Sequence, residues 1–511
     1  MQLQQSQTMT DAERRLFFPQ NAAPDPLLVH LAQLNQDWQL RGESNSESQT
    51  PIAAILGCSH SSMPMPRILD CGLNEIFMQV ERGARLSAEK IGTLMYGLTH
   101  LADHQIPLVQ IIVHQCQAGQ SCRKVMPDKP TITRPAALIE AANRLSIGNH
   151  LGISHVNLPA WKSLSQYNSH DLIHGRTRSL LLLENDKAFA TLVKEGKVIV
   201  GEAFFDEKIG KVSWFGLLAA DSIIDQLRQM SPRIEDIVEG LASDPQQVAH
   251  LHEGIVSLAR IAAGNRRYRA VHSPPVPCRV VILGCADSRS HPTVTFGDFE
   301  LGAIESFHSA GNEIGDHTLR GLRIALEEIE EHARQATSAA LLTNPELPAS
   351  YREFSYLIVK SHSRCGALNA VITSAENGAK TALKNMTGSP HVGHLVNSIR
   401  HRLSPYFSWL HKNGLTAHEH DALGIFAARF NAVEGCLDFY RRAREGNLDA
   451  TQIIEIIRRG FVRLVPAVYL LKSGRIEFLS PMPESLEETE IEEYPVVAHA
   501  TNGFELPFAV G

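Results

Sequence analysis

Val280-Val-Ile-Leu-Gly-Cys285-Ala-Asp287-Ser-Arg289 is an apolar run that ends in a glycine and then delivers a thiol, a carboxylate and a guanidinium. A short unbroken apolar run bounded by a turn residue reads as a strand buried on both faces. The same text occurs earlier as Ala53-Ala-Ile-Leu-Gly-Cys58-Ser-His60-Ser-Ser62. A second echo lies downstream, where Val109-Gln-Ile-Ile-Val-His114 matches Tyr356-Leu-Ile-Val-Lys-Ser-His362, each a buried-type strand with a histidine at its end.

Two more echoes frame these. Leu28 to Trp38 and Ile255 to Tyr268 precede the Cys strands as amphipathic helices. Lys197 to Trp214 and Leu464 to Phe478 follow the His strands as strand, glycine turn, strand. Helical text at 87–102 and 319–334 separates each Cys strand from its His strand. Strand, helix, strand at this spacing implies parallel βαβ units under helical cover. The expected fold class is α/β, with two tandem βαβ-type units, each holding a mostly parallel sheet flanked by helices.

The expected divisions are an extension at 1–24, a first unit at 25–230, a linker at 231–249, a second unit at 250–482 and an acidic tail at 483–511. The Cys-to-His interval is longer by about twenty residues in the second unit, and Asn344-Pro-Glu-Leu-Pro348 marks 336–353 as an inserted surface loop.

Composition narrows the function classes. The 511 residues are 43% apolar and 20% charged, the balance of a chain with a large core. A net charge of -7 gives no basic field for nucleic acid. Eight irregularly spaced cysteines suit a reducing compartment rather than a disulfide framework. Residues 1–20 hold no signal-peptide apolar stretch and no run is long enough to span a bilayer, so the default location is the cytoplasm, with a bacterial microcompartment lumen left open.

Cys285 with His362-Ser-Arg-Cys365 places two thiolates and an imidazole at the carboxyl ends of strands, a donor set suited to tetrahedral zinc with one position open. Asp287 and Arg289 stand beside the first thiolate. A closed structural zinc site has four ligands and no use for such a dyad, so the five residues together point to a catalytic metal.

Cys-x-Asp-x-Arg followed by His-x-x-Cys-Gly resembles the signature of the β-class carbonic anhydrases. The resemblance extends to Gly264-Asn-Arg-Arg-Tyr268, Ser309-Ala-Gly-Asn312 and the closing strand pair, covering about 250–480 as complete and 25–218 as degenerate. It implies a pseudo-dimer of that fold, one zinc ion per chain held by Cys285, His362 and Cys365, and reversible hydration of carbon dioxide to bicarbonate. It further implies zinc hydroxide as the nucleophile, oriented by Asp287, which Arg289 holds. In some similar enzymes the aspartate becomes a fourth ligand when its arginine is lost, and that alternative stays open for Asp287. Two thiolates neutralise the zinc charge, which weakens it as a Lewis acid and favours alkaline activity. A homo-oligomer of pseudo-dimers is the implied assembly, and a tandem enzyme with one lost site is similar in plan to the carboxysomal carbonic anhydrase.

The first unit keeps Cys58 and His114 but has His60 for Asp287, Ser62 for Arg289 and Gln117 for Cys365; Cys116 lies one residue out of register, and a rebuilt loop could bring Cys116 or Cys122 in as a ligand. It is expected to hold no zinc and to wall the second unit's pocket. His291 and His308 are candidate proton carriers, and the His418-Glu-His420 stretch reads as solvated. Two other functions stay open: hydrolysis of carbonyl sulfide or carbon disulfide on the same scaffold, and non-catalytic bicarbonate binding.

Overall fold

A computed structural model describes residues 26–40, 48–84, 86–100, 105–114, 152–158, 169–241, 251–273, 275–296, 300–348, 351–376, 389–412 and 424–479. The expected extension at 1–24, the acidic tail at 483–511, Cys116, Gln117, Cys122 and the His418–His420 stretch lie outside these residues.

The apolar runs form strands, as their β-branched and leucine content favours. In chain order they are β1 Ala53–Gly57, β2 Ile76–Val80, β3 Leu108–His114, β4 Ile153–Asn157, β5 Ile199–Asp206, β6 Lys211–Ala220, β7 Val280–Gly284, β8 Ile304–His308, β9 Ser355–His362, β10 Val462–Leu470 and β11 Arg475–Phe478. They make one sheet of order β11-β10-β9-β7-β8-β2-β1-β3-β5-β6-β4. Within each half the strands β2-β1-β3-β5 and β8-β7-β9-β10 are parallel, and the outer partners β6 and β11 return antiparallel. The two halves therefore share one strand order, with β4 added beyond β6.

A single antiparallel bridge, Val80 with His308, joins the halves into one sheet. The strands β2 and β8 that make it were not apparent in the repeat, because Ile-Phe-Met-Gln-Val and Ile-Glu-Ser-Phe-His share no pattern beyond their isoleucine start.

Parallel strands need crossovers, and helices supply them. They are α1 Pro26–Leu40, α2 Ala88–His100, α3 Ser169–Asn185, α4 Lys187–Lys194, α5 Asp221–Met230, α6 Ile234–Leu241, α7 Glu253–Ala270, α8 Asp316–Thr343, α9 Gly366–Glu376, α10 Pro390–Arg402, α11 Ser404–Lys412, α12 Ile425–Arg444 and α13 Leu448–Arg458. Both sheet faces are covered, and the strand interiors are buried throughout β1, β2, β7, β8 and β9.

Two stretches depart from expectation. The inserted loop at 336–353 begins as helix: α8 continues through the Ala-Thr-Ser-Ala-Ala-Leu-Leu text to Thr343, whose residues are good helix formers, and only a turn at Asn344 follows. The linker text at 231–249 contains α6, whose Ile237 and Val238 join the core beneath β1 and β5.

The entry helices are exchanged between halves. α1 opens the first unit yet packs Leu28, Leu31 and Trp38 against Val280, Ile282, Tyr356 and Tyr469 of the second. α7 opens the second unit and packs Ile255, Leu258 and Ile261 against Ile55, Ile112 and Ile199 of the first. Each helix carries a buried asparagine that clamps the strand pair it crosses to. Asn35 donates to Thr295 O and Gly474 O and accepts from Ile476 N, and Asn265 donates to Ile68 O and Gly210 O and accepts from Val212 N. Every backbone group so met would otherwise be an unpaired buried polar atom.

Candidate metal centre

β7 and β9 are parallel neighbours in register from Val280 with Tyr356 to Gly284 with Lys360, so their carboxyl ends open at one place. Cys285 leaves β7 there and His362 ends β9. Cys365 follows through a turn in which Arg364 takes a left-handed φ of 53°, just before α9. The donor atoms of Cys285, His362 and Cys365 all lie within 4.8 Å of one another, and all three side chains are buried. Among the described residues this is the one such group of three.

The sulfurs of Cys285 and Cys365 are 3.8 Å apart, far beyond a disulfide, and both are free thiols. Burial pushes the Cys285 thiol well up, whereas the hydrogen bond with Cys285 pulls Cys365 down. Gly311 N donates to Cys285 Sγ at 3.3 Å from a turn in which Gly311 has a φ of 62°. Arg402 of α10 fixes that turn through hydrogen bonds to Gly311 O and Asn312 O.

His362 is oriented by its Nδ1, 2.9 Å from Ser363 O. That contact places the N–H on Nδ1 and leaves Nε2 for the Cys285 sulfur, with which His362 also interacts. A buried imidazole nitrogen directed at two thiols is what a metal ligand set requires.

Asp287 and Arg289 form the expected dyad. Asp287 Oδ1 accepts from Arg289 N and Nε, both at 2.9 Å, and Oδ2 accepts from Arg289 Nη2 at 2.7 Å. Burial alone would raise this carboxyl, but Arg289 and then His362 outweigh it and hold it far below the usual carboxylate range. Asp287 is therefore an ionised acceptor, with Oδ2 3.6 Å from His362 Nε2.

Two residues of the first half reach this centre and had no signal in the sequence. Gln49, in the lead to β1, donates from Nε2 to Asp287 Oδ2 at 2.6 Å. Tyr96 of α2 is buried with its hydroxyl against Gly366, where a side chain would begin only 2.6 Å from it. Burial and then the Cys365 and Cys285 sulfurs raise that phenol well above its ordinary value, so it is a neutral donor at the edge of the site.

His291 and His308 are wholly buried, each tied to a backbone carbonyl: His291 Nε2 to Ile76 O at 2.7 Å and His308 Nδ1 to Cys285 O at 2.8 Å. Burial takes His291 down to about 4 and His308 well below its ordinary value. Neutral, enclosed imidazoles of this kind are poor stations for carrying protons to solvent.

In the first half, Cys58 and His114 occupy the corresponding ends of β1 and β3. Cys58 Sγ again accepts a backbone N–H, from Gly83 at 3.2 Å, and Arg178 of α3 binds Gly83 O and Ala84 O as Arg402 binds Gly311 O and Asn312 O. His60 and Ser62 stand in the dyad positions and hydrogen-bond each other at 2.7 Å. The loop scaffold persists, and among the described residues no third donor joins Cys58 and His114 in a metal-type group.

No family model matches the chain, and no curated protein does. Among solved structures it is similar to the β-carbonic anhydrase CcaA, at TM-score 0.25 and 16% identity over 50% of this chain and 95% of that one. It is also similar to the Coccomyxa β-carbonic anhydrase in complex with acetazolamide, at TM-score 0.26 and 15% identity over 38% of this chain and 86% of that one. The carbonic anhydrase from Streptococcus mutans gives TM-score 0.23 and 16% identity over 38% and 99% respectively. Each likeness spans half of this chain or less.

Proposed function

We propose that this chain is a β-class carbonic anhydrase that interconverts carbon dioxide and bicarbonate at one zinc ion held by Cys285, His362 and Cys365. The observation that carries the reading is the juxtaposition of those three donors with an aspartate clamped on both oxygens by Arg289. The donors fit zinc: two thiolates at about 2.3 Å from a tetrahedral ion lie about 3.8 Å apart, the separation seen between Cys285 and Cys365.

Zinc bound there would lower the pKa of a water molecule and so supply the nucleophile for carbon dioxide. The protein's own groups do the rest. Asp287, ionised and acceptor-only, would orient a water held at such an ion by accepting one of its hydrogens. Arg289 fixes the carboxylate plane through a bidentate pair, and Gln49 adds a further bond to Oδ2. While Arg289 keeps Asp287, the carboxylate is not one of the three grouped donors, which favours an open fourth position. Tyr96 and the walls from the first half narrow the space and exclude bulk water.

Residues 25–230 and 250–482 are read as two copies of one unit, supported by the shared strand order, the exchanged helices and the paired Arg178 and Arg402 clamps. Among the described residues only the second copy groups three such donors. Among the described residues no helix is long and apolar enough to cross a membrane.

Elemental analysis and stopped-flow hydration on one sample test the reading. One zinc per chain with carbon dioxide hydration is expected, and Cys285→Ser should lose both. Carbonyl sulfide and carbon disulfide serve as competing substrates, and faster turnover of either would reassign the site. Two zinc ions per chain would refute the single-centre reading, and unchanged hydration in Cys285→Ser would refute the enzyme.

A further inference from the structure

The first half holds a side-chain cluster for which carbon dioxide hydration has no use. His114 ends β3 as His362 ends β9, but where His362 turns Nδ1 to a backbone carbonyl, His114 pairs Nδ1 with Glu207 Oε1. Both side chains are enclosed, 3% and 5% exposed. Ser62 Oγ donates to the same Glu207 Oε1 at 2.9 Å and so fixes the carboxylate. His114 also hydrogen-bonds Cys58. With Nδ1 committed to Glu207, Nε2 is the nitrogen left for the sulfur, and the imidazole stands between thiol and carboxylate. That order is wrong for three ligands on one ion and right for a nucleophile, a base and the group that orients the base.

We infer that Cys58, His114 and Glu207 form a reactive-thiol centre, separate from the zinc centre, whose reactant is a peroxide. His114 takes the Cys58 proton, and Glu207 stabilises the resulting imidazolium. Burial alone would lower the ring's basicity, but Cys58 and Glu207 together raise it well above the ordinary histidine value, which favours the ring as the proton's acceptor. The N–H of Gly83, directed at the sulfur, supports the thiolate.

Cys58 is 1% exposed, which limits its reactant to a few atoms. An acyl electrophile would need donors aimed at its developing oxyanion, and the Gly83 N–H is spent on the sulfur itself. A peroxide needs only a thiolate and an acid for its leaving oxygen. The sulfur gives an electron pair to one peroxide oxygen, the O–O bond breaks, and the other oxygen leaves with the bonding pair and takes the proton from His114 Nε2. Cys58 becomes a sulfenic acid, oxidised by two electrons, and hydrogen peroxide is reduced to water. One peroxide is consumed for each Cys58.

The test treats the full-length, zinc-loaded protein with hydrogen peroxide in the presence of dimedone and maps the adducts by peptide mass spectrometry. Cys71, Cys278 and Cys436 are internal standards, since they are buried free thiols that burial pushes up. Cys58 should form its adduct at least about tenfold faster than any of the three, and Glu207→Gln should slow it by about tenfold or more at an unchanged melting temperature. Ser62→Ala leaves the His114–Glu207 pair in place and should slow it by roughly threefold, which keeps the test open if Glu207→Gln does not fold. Cys58→Ser should remove the adduct and leave carbon dioxide hydration unchanged, so this inference and the zinc reading fail separately. Labelling of Cys58 no faster than the standards, or a rate that neither variant alters, would overturn the inference.

Discussion

Replacing Arg289 by alanine is the sharpest test of how the proposed site is built. Asp287 receives four hydrogen bonds: Arg289 N and Nε at Oδ1, and Arg289 Nη2 and Gln49 Nε2 at Oδ2. Arg289→Ala keeps the backbone donor and Gln49 and removes the two guanidinium bonds with their charge. Asp287 is only 3% exposed, so the change leaves a carboxylate in the interior with two neutral donors. Breaking a buried pair from one side costs about 3–5 kcal/mol. The carboxylate can recover part of that in two ways: by taking a proton, since only His362, the backbone N–H and Gln49 would then oppose the upward push of burial, or by turning toward the grouped donors, as it already lies 3.6 Å from His362 Nε2. Either response removes the acceptor that aims the nucleophile. That cost falls on stability; the loss of the group that aims the nucleophile should lower kcat/KM by about two to four decades. Stopped-flow hydration with zinc content measured on the same sample reads it. A variant that retains zinc and loses less than about tenfold in kcat/KM would refute the dyad's role.

Gln49→Leu removes one bond to a charged acceptor, about 1.5–3 kcal/mol, so kcat/KM should fall by roughly ten- to a hundredfold with zinc retained. An unchanged rate would mean that the first half does not serve the site. The pair His291 and His308 makes the fold acid-sensitive. Both are depressed, so between about pH 4 and pH 6.5 the unfolded chain binds protons that the native chain does not, and stability rises with pH across that window. Each contributes about 1.4 kcal/mol per pH unit there. His291→Gln, which can keep the bond to Ile76 O, should flatten the fall in melting temperature on acidification, and an unaltered slope would count against it. Asn35→Ala would strand Ile476 N, Thr295 O and Gly474 O, at about 1–3 kcal/mol each, which chemical denaturation would detect. A loss under about 1 kcal/mol would show that α1 is not clamped as described.

The sequence by itself determined the elements and brought out the candidate donors, because these are local or periodic signals. An apolar run ending in Gly-Cys has one economical fate, a buried strand that presents its thiol at the sheet's edge, and β1 and β7 are such strands. His-x-x-Cys after β9 brought the second and third donors to the first because parallel strands side by side share a carboxyl end. The i and i+2 spacing of Asp287 and Arg289 likewise fixed their pairing. Only the tertiary structure decided what crosses between the halves. β2 and β8, the strands that join the two halves into one sheet, have no distinctive pattern, since their single bridge at Val80 and His308 asks little of their side chains. The exchange of α1 and α7 cannot be read from amphipathic periodicity, which shows that a helix needs an apolar partner but not which of two similar sheet faces it will cover. For the same reason Gln49, Tyr96 and Glu207 carried no signal. Each acts on groups far away in the chain, and contacts between distant residues are set by how the two halves pack, which no local spacing encodes.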